Sequence, residues 1–431
     1  MIKKILCIIS LLVSAISSAE VKELTSSYGV KFWYHQDDST PLINIAVAFR
    51  NCGAAHMSPT KRSVPYLYTS TALCGSGKYS KEEFQEKLQN ISVKLYCGDN
   101  FDDVMFFCKY PKVVSDEAIN LLLLALNSPK FEKKEVEENK FYISYRLRNY
   151  QDSPVFWYAY VMMPRVLFKN HPYGDGFGNS EEVLKLNRND LKAFHKKYIV
   201  RSNIELCIFG DISETEAVKL ADQILSSIPK GKKVQDNIPN VEPSLKNFNE
   251  KYHIERPQSY VLFTLPNVLE NSEQKFATAI LYRILGGGHF KSKIMEKLRS
   301  KLGLIYSGGI NKIEHRHSCF SAGVLQTSNK KTDIAISEIK LILKKLKEDG
   351  ISQEELDFAK SNIKGTFLVN LRTSEDLCHF YMTKKLQGYS TKALEEFLEG
   401  INAVTLEQVN SLAQKTLDEK NIPFIVIGGN E

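Results

Sequence analysis

Neither H-x-x-E-H nor H-x-x-H occurs anywhere in the 431 residues. A helix therefore offers no pair of imidazoles one turn apart, the arrangement through which helical zinc sites are built. No C-x-x-C pair is present either, which excludes zinc-finger spacing and a thioredoxin-like redox motif. Beyond the N-terminal segment no run of about 18 apolar residues occurs, and Ala118 to Ala125 is much too short to span a bilayer. The lysines are dispersed, with no basic block interleaved with aromatics. The net charge of +7 thus gives no indication of nucleic-acid binding and implies only a weak preference for acidic surfaces. Gly286-Gly287-Gly288 lacks the Gly-Lys-Ser/Thr ending of a phosphate loop and reads as a close backbone approach between helices.

What is present begins with a secretory signal pattern over residues 1–19. Lys3 and Lys4 precede a short apolar run, Ile5 to Val13, and Ser17-Ser18-Ala19 offers small residues for cleavage before Glu20. No Cys follows them, which argues against a lipoprotein anchor. The expected location is the periplasm or the exterior of a bacterial envelope, with membrane association only through an uncleaved signal. The remaining length suggests two or more domains, and 43% hydrophobic with 25% charged residues suffices for large cores. Seven of the eight cysteines lie beyond the signal, an odd number, so at least one thiol stays free unless it pairs between chains. Cys108, Cys207 and Cys319 sit in apolar strand-like runs and read as small buried hydrophobes.

The chain divides into two halves, 20–228 and 248–431, joined by a polar Pro- and Lys-rich linker over 229–247. Each half repeats one order of elements. In the first, Ile43 to Phe49 alternates as a strand, helices follow near 63–74 and 80–88, Ser92–Tyr96 and Val104–Lys109 pair as strands, and helices run over 115–126, 133–148, 189–198 and 214–227, with a strand at 204–209. In the second, strands at 260–264, 318–324 and 424–427 interleave with helices at 275–285, 292–301, 333–347, 353–371 and 405–417. The predicted fold is α+β: two homologous halves, each a mainly antiparallel sheet backed by helices on one face, facing each other around a cleft.

Several blocks then recur in a telling order: Asn170-His171-Pro172-Tyr173-Gly174, Asp190-Leu191-Lys192-Ala193-Phe194, Asn203, Gly210-Asp211, Leu285-Gly286-Gly287-Gly288, and Leu298-Arg299-Ser300-Lys301-Leu302-Gly303-Leu304-Ile305-Tyr306-Ser307. Through them the chain resembles the pitrilysin/insulinase-type zinc metallopeptidases, most of all the small bacterial two-subunit members related to mitochondrial processing peptidase. Active members carry H-x-x-E-H on a helix, two His as ligands and a Glu as general base, with a third ligand Glu from a later helix. By this resemblance Tyr66 and Ser70 stand at the two His positions and Thr69 at the base. Glu138 matches the outer carboxylate and Tyr145 stands at the third ligand. The chain itself is then expected to hold no metal and no cofactor, zinc being expected only in a partner subunit.

The resemblance also implies a substrate-binding role for Arg299 and Tyr306, which in the family hold substrate backbone near the metal. A permanently charged donor and a neutral one both suit a peptide carbonyl. It implies as partners a zinc-bearing homologous subunit and an extended peptide or unfolded protein, and it makes His171 part of a structural turn. Cys74, beside the altered site, has no His near in sequence to activate it and reads as a packed thiol. His315 and His317 read as two exposed strand residues. The expected function is a secreted non-catalytic subunit of a heteromeric zinc peptidase. The alternatives are a stand-alone peptide-binding scaffold and, third, an enzyme with a non-zinc mechanism.

Overall fold

A computed structural model of the chain describes residues 20–246, 249–269, 272–287 and 291–429. The signal segment 1–19, Asn247 at the end of the linker and Gly288 of the glycine run lie outside the described residues. The chain packs as two compact units. The first gathers 20–145, 177–237 and 367–395; the second gathers 146–176, 238–366 and 396–429.

The first unit holds a six-stranded sheet of β1 (Lys22–Thr25), β2 (Lys31–Gln36), β3 (Leu42–Phe49), β4 (Lys94–Asp99), β5 (Val104–Pro111) and β6 (Ile204–Gly210), in the order β1-β2-β6-β3-β5-β4. Only β2 and β6 run parallel. Period-two alternation in β3 sets the faces. Ile45 lies opposite Cys108 and Ile208, and Val47 opposite Phe106 and Leu206, so these side chains share one face. Helices Ser115–Asn127 and Glu214–Ser227 cover that face, with Ile119 and Leu220 meeting Ile43 and Tyr110. The opposite face carries Asn44, Ala46 and Ala48, matched across the strands by Phe209, Cys207 and Glu205.

That second face is also covered, which corrects the expectation of helices on one face only. The cover is the helix Ser374–Leu386, from the other end of the sequence, opened by a capping box between Thr373 and Asp376. Cys378 Sγ reaches Asn44 O at 3.9 Å, and the Tyr381 ring lies 5.9 Å from Trp33 and 5.6 Å from Phe209. Lys109 pairs with Glu375 at 2.6 Å, and the largely buried Lys385 side chain with Glu205 at 3.3 Å. Small residues at Ala46 and Ala48 leave room for the helix to approach.

The second unit repeats the plan with β7 (Asn249–Tyr252), β8 (Gln258–Pro266), β9 (Ile305–His315), β10 (Ser318–Ser328) and β11 (Phe424–Ile427), in the order β7-β11-β8-β10-β9. Again one pair, β7 and β11, is parallel. Each strand thus has a counterpart in the first sheet: β7 for β2, β11 for β6, β8 for β3, β10 for β5 and β9 for β4. Val261, Phe263 and Leu265 join Ile280, Leu281, Ile339, Leu343 and Leu412 in one buried cluster. The Phe263 ring lies over Gly323, where a Cβ would stand 2.1 Å from its tip, so only glycine fits opposite it. The other face receives the helical stretch Pro154–Trp157, Tyr158–Met162 and Met163–Leu167, drawn from the first half. Tyr158 hydroxyl meets Thr264 Oγ1 at 2.7 Å, and Phe168 lies 6.1 Å from Phe320.

Division by sequence order and division into compact units therefore differ at 146–176 and 367–395. The stretch 229–246 forms no helix or strand, yet it is held throughout. Pro229 O and Lys230 O accept from Arg201 and Ser202 N–H, Val234 N–H donates to Asn203 Oδ1, Val241 N–H to His317 O, and Ser244 N–H to Leu167 O.

Because Tyr158 and Thr264 are fully buried, Tyr158→Phe strands the threonine hydroxyl. The expected loss is about 1–2 kcal/mol of unfolding free energy, read by urea denaturation. An unchanged midpoint would mean that the exchanged helix does not depend on this bond.

Candidate functional site

The helix Val64–Thr71 has proline in its first turn, where no backbone bond is lost. Ser63 Oγ donates to Phe177 O at 2.6 Å just before it. One face anchors the helix. Leu67 and Tyr68 are fully buried, and the Tyr68 ring lies 4.8 Å from Phe194 and 5.5 Å from Phe131. Its hydroxyl sits 2.9 Å from His195 Nδ1, on the helix Arg188–Tyr198. Burial pushes His195 down to about 4, so its imidazole is neutral at physiological pH.

Tyr66, Thr69 and Ser70 belong to a second face. Tyr66 packs its ring 5.3 Å from Phe177, which in turn meets Phe101 at 4.7 Å. Thr69 hydroxyl donates to Asp99 Oδ1 at 2.6 Å and lies 3.1 Å from Tyr66 O. Asp99 ends β4, and its other oxygen is buried without a hydrogen-bond partner among the described residues. Burial pushes the Asp99 carboxyl up to about 7, against the opposing pull of the Thr69 hydrogen bond. Thr69 is thus a hydroxyl committed to an acid that is about half neutral near pH 7.

The helix Lys133–Arg148 passes the end of this segment. Burial raises Cys74 to about 11, with Glu135 and Glu138 adding to the effect and Lys81 opposing it, so Cys74 is a protonated thiol as expected. Glu135 is taken by Lys81 Nζ at 2.7 Å. Glu138 is solvent-exposed, 3.9 Å from Lys134. Tyr145 lies two turns beyond it, 43% exposed, on a helix that also presents Phe141 and Tyr142 to solvent. Neutral tyrosine and serine hydroxyls are poor zinc donors. Among the described residues no cluster of three His, Cys, Asp or Glu is placed to hold a metal ion. The donor set does not fit zinc.

Arg299 and Tyr306 lie in the other compact unit. The helical turn Met295–Lys301 ends where Gly303 takes φ +57°, its N–H bonded to Arg299 O at 3.2 Å and Leu304 N–H to Leu298 O at 2.7 Å. Tyr306 follows on β9, an edge strand, 55% exposed. His171 holds a turn: Nδ1 accepts from Tyr173 N–H at 3.2 Å and Nε2 donates to Pro239 O at 3.0 Å. Gly174 completes it, since a Cβ there would meet Phe168 O at 2.3 Å. His315 and His317 are not a pair of exposed strand residues. His315 is buried at the end of β9, its ring 4.8 Å from Tyr173. His317 lies in the turn before β10, its Nδ1 2.8 Å from Asn240 Oδ1. Asp99 escaped the sequence reading, which sought replacement ligands chiefly among histidines; its place at the end of an alternating strand was the available signal.

The family profile described as "Insulinase (Peptidase family M16)" matches residues 32–175, and "Peptidase M16 inactive domain" matches 185–363. The chain belongs to peptidase family M16, the insulinase family. The non-peptidase homolog YmxG of Helicobacter pylori is 24% identical, covering 92% of this chain and 91% of that protein. Among solved structures, a peptidase M16 inactive domain from Pseudomonas fluorescens superposes with a TM-score of 0.85 at 19% identity, over 95% of this chain and 98% of that one. The periplasmic protease PqqL from Escherichia coli, with a TM-score of 0.73 and 17% identity, matches 95% of this M16 chain with only 48% of its own.

Two outcomes follow from this site. The folded-state value of Asp99 lies above its unfolded value of 3.8, so its stabilising contribution is complete below about pH 4 and is lost as pH rises through 7. Asp99→Asn keeps an acceptor for Thr69 without an ionisable group. It should match the parent near pH 4 and exceed it by on the order of 1–3 kcal/mol at pH 8, read as urea unfolding at both pH values. Equal stability at pH 8 would mean that Asp99 ionises freely. In the second, elemental analysis of the purified chain after exposure to zinc and desalting should find far less than one zinc per chain. One equivalent that disappears in Tyr66→Phe or Tyr145→Phe would contradict the reading of the donor set.

Proposed function

We propose that this protein is a non-catalytic subunit of a heteromeric M16 zinc peptidase, exported to the periplasm or beyond, that binds extended peptide beside the zinc of a homologous partner. The observation that carries this reading is the Thr69–Asp99 hydrogen bond at the base position, flanked by Tyr66 and Ser70 where ligands would stand. The non-peptidase description of the Helicobacter relative supports it. So does the length relation to PqqL, in which this chain corresponds to about half of that protein: one such length alone calls for another.

In this reading the chain's own residues bind and orient. The edge strands β4 and β9 present unpaired backbone groups that an extended peptide can join by strand addition. Arg299 and Tyr306 donate to peptide carbonyls, and a permanent guanidinium charge next to a neutral phenol suits an oxygen that gains negative charge. Zinc, held by the partner, supplies the activated water.

The test is kinetics of a complex reconstituted with a zinc-bearing M16 homologue from the same genome. Arg299→Ala and Tyr306→Phe should each lower kcat/KM about tenfold or more, toward the 10²–10³ typical of a lost oxyanion donor, with assembly unchanged by size-exclusion chromatography. Two variants that assemble and cleave like the parent would favour a peptide-binding scaffold without part in the chemistry.

A further inference from the structure

The lysines are dispersed in sequence, but the fold gathers five of them. The helix Arg188–Tyr198 carries Lys196 and Lys197 in its last turn. The chain returns past this end as the strap that follows Ser227. Pro229 O and Lys230 O accept from Arg201 N–H at 2.8 Å and Ser202 N–H at 3.0 Å, and Ser202 Oγ also donates to Lys230 O. Gly231, at φ +62°, lies against Val200, where a Cβ would stand 2.4 Å from that side chain. These contacts hold the strap that carries Lys230, Lys232 and Lys233 against residues 200–202, which directly follow the helix end bearing Lys196 and Lys197. All five are exposed, and among the described residues none is in an ion pair. Lys197 Nζ bonds only the Tyr198 hydroxyl, a neutral group.

The nearby acid at Asp222 is already committed, accepting from Ser27 N–H and Ser27 Oγ at 2.8 and 2.6 Å. Next to Ser27, Tyr28 is 46% exposed, with the Arg201 guanidinium 4.3 Å from its ring centre. The surface thus offers five separate ammonium groups, and the Arg201 side chain that rests on Tyr28 belongs to the residue whose backbone holds the strap. Five separate ammonium groups suit a diffuse, planar array of negative charge better than a stereospecific anion, and an exposed tyrosine suits the interface between headgroups and water.

We infer that this face of the first unit docks the protein on an anionic phospholipid surface. Cations near such a bilayer add to binding individually and are screened by salt within a Debye length. The inference is independent of the peptidase reading, since none of these residues belongs to the site described above.

The experiment is co-sedimentation of the full chain with vesicles of phosphatidylglycerol and phosphatidylcholine, against vesicles of phosphatidylcholine alone, with the difference as readout. That difference cancels any affinity of the apolar N-terminal segment for neutral lipid. The parent should bind the anionic vesicles at least tenfold more tightly in 50 mM salt and lose most of that preference in 500 mM. K196Q/K197Q/K230Q/K232Q/K233Q should abolish the preference, whereas K344Q/K345Q/K347Q/K415Q/K420Q, equal in charge removed, should keep most of it. Tyr28→Ser should weaken binding several-fold. No preference for anionic vesicles, or equal losses in the two five-lysine variants, would overturn the assignment. Retention on a poly-glutamate matrix to higher salt than on the vesicles would reassign the patch to an acidic protein.

Discussion

Each sheet of this protein depends on a helix delivered from the other half of the chain. In the first unit Ser374–Leu386 lies on Asn44, Ala46, Phe209 and Trp33; in the second, 154–167 lies on Thr264 and its neighbours. A strand with both faces covered can be apolar throughout, and β2 is buried along Phe32, Trp33, Tyr34 and His35 for this reason. In this seam Glu205 joins two cations, Lys385 at 3.3 Å and Arg50 at 3.3 Å, so loss of Lys385 would leave it still paired. Neither half of the sequence can complete its own core. The stretch 229–246, read as a linker, is hydrogen-bonded within the first unit at Arg201, Ser202 and Asn203 and within the second at His317 and Leu167.

The helix Val64–Thr71 is held by packing within the first unit. Its buried face, built on Leu67 and Tyr68 and locked to a neutral His195, preserves the helix without any metal. Its other face presents Tyr66, Thr69 and Ser70. Thr69 is tied to an acid that burial holds near neutrality. Metal ligands placed at Tyr66, Thr69, Ser70 and Tyr145 would leave Asp99 buried, with one oxygen lacking a partner among the described residues. Zinc ligands need such surrounding groups set in their favour, so restored ligands alone fall short of an active site.

Much of the fold was legible because local signals agreed with it. Glu214–Ser227, Lys133–Arg148 and Phe424–Ile427 fall where periodicity and capping residues place them, and the repeated strand order follows from the repeated pattern. What escaped were elements whose burial is set by distant chain. In Ser374–Leu386 the buried residues Leu377, Cys378, Tyr381 and Met382 share one face, but the lysines and acids between them leave little overall apolar signal in the sequence. β2 lacks alternation because both its faces are covered. At the site, the resemblance pointed to Tyr66, Thr69, Ser70 and Tyr145, and the helix Val64–Thr71 that carries the first three forms where the sequence places one. Asp99 was not legible: its only signal, a place at the end of a strand, carries no hint of burial until the fold brings Thr69 against it. His317 was misread as a strand residue because the hairpin turns one residue earlier than its alternation suggests. The lysine cluster was invisible for the same kind of reason: 196–197 and 230–233 become neighbours only through the bonds at Arg201 and Ser202.

The central claim is that this M16 chain works without metal of its own beside a homologue that has one. Native mass spectrometry of the complex captured on the tagged full-length chain from its own cells tests it most directly, since it reads partner mass and metal content together. The account predicts a one-to-one assembly with an M16 homologue carrying H-x-x-E-H, with a single zinc that stays with the partner when the complex is dissociated. A chain recovered alone, or a zinc ion that remains with this subunit, would contradict it.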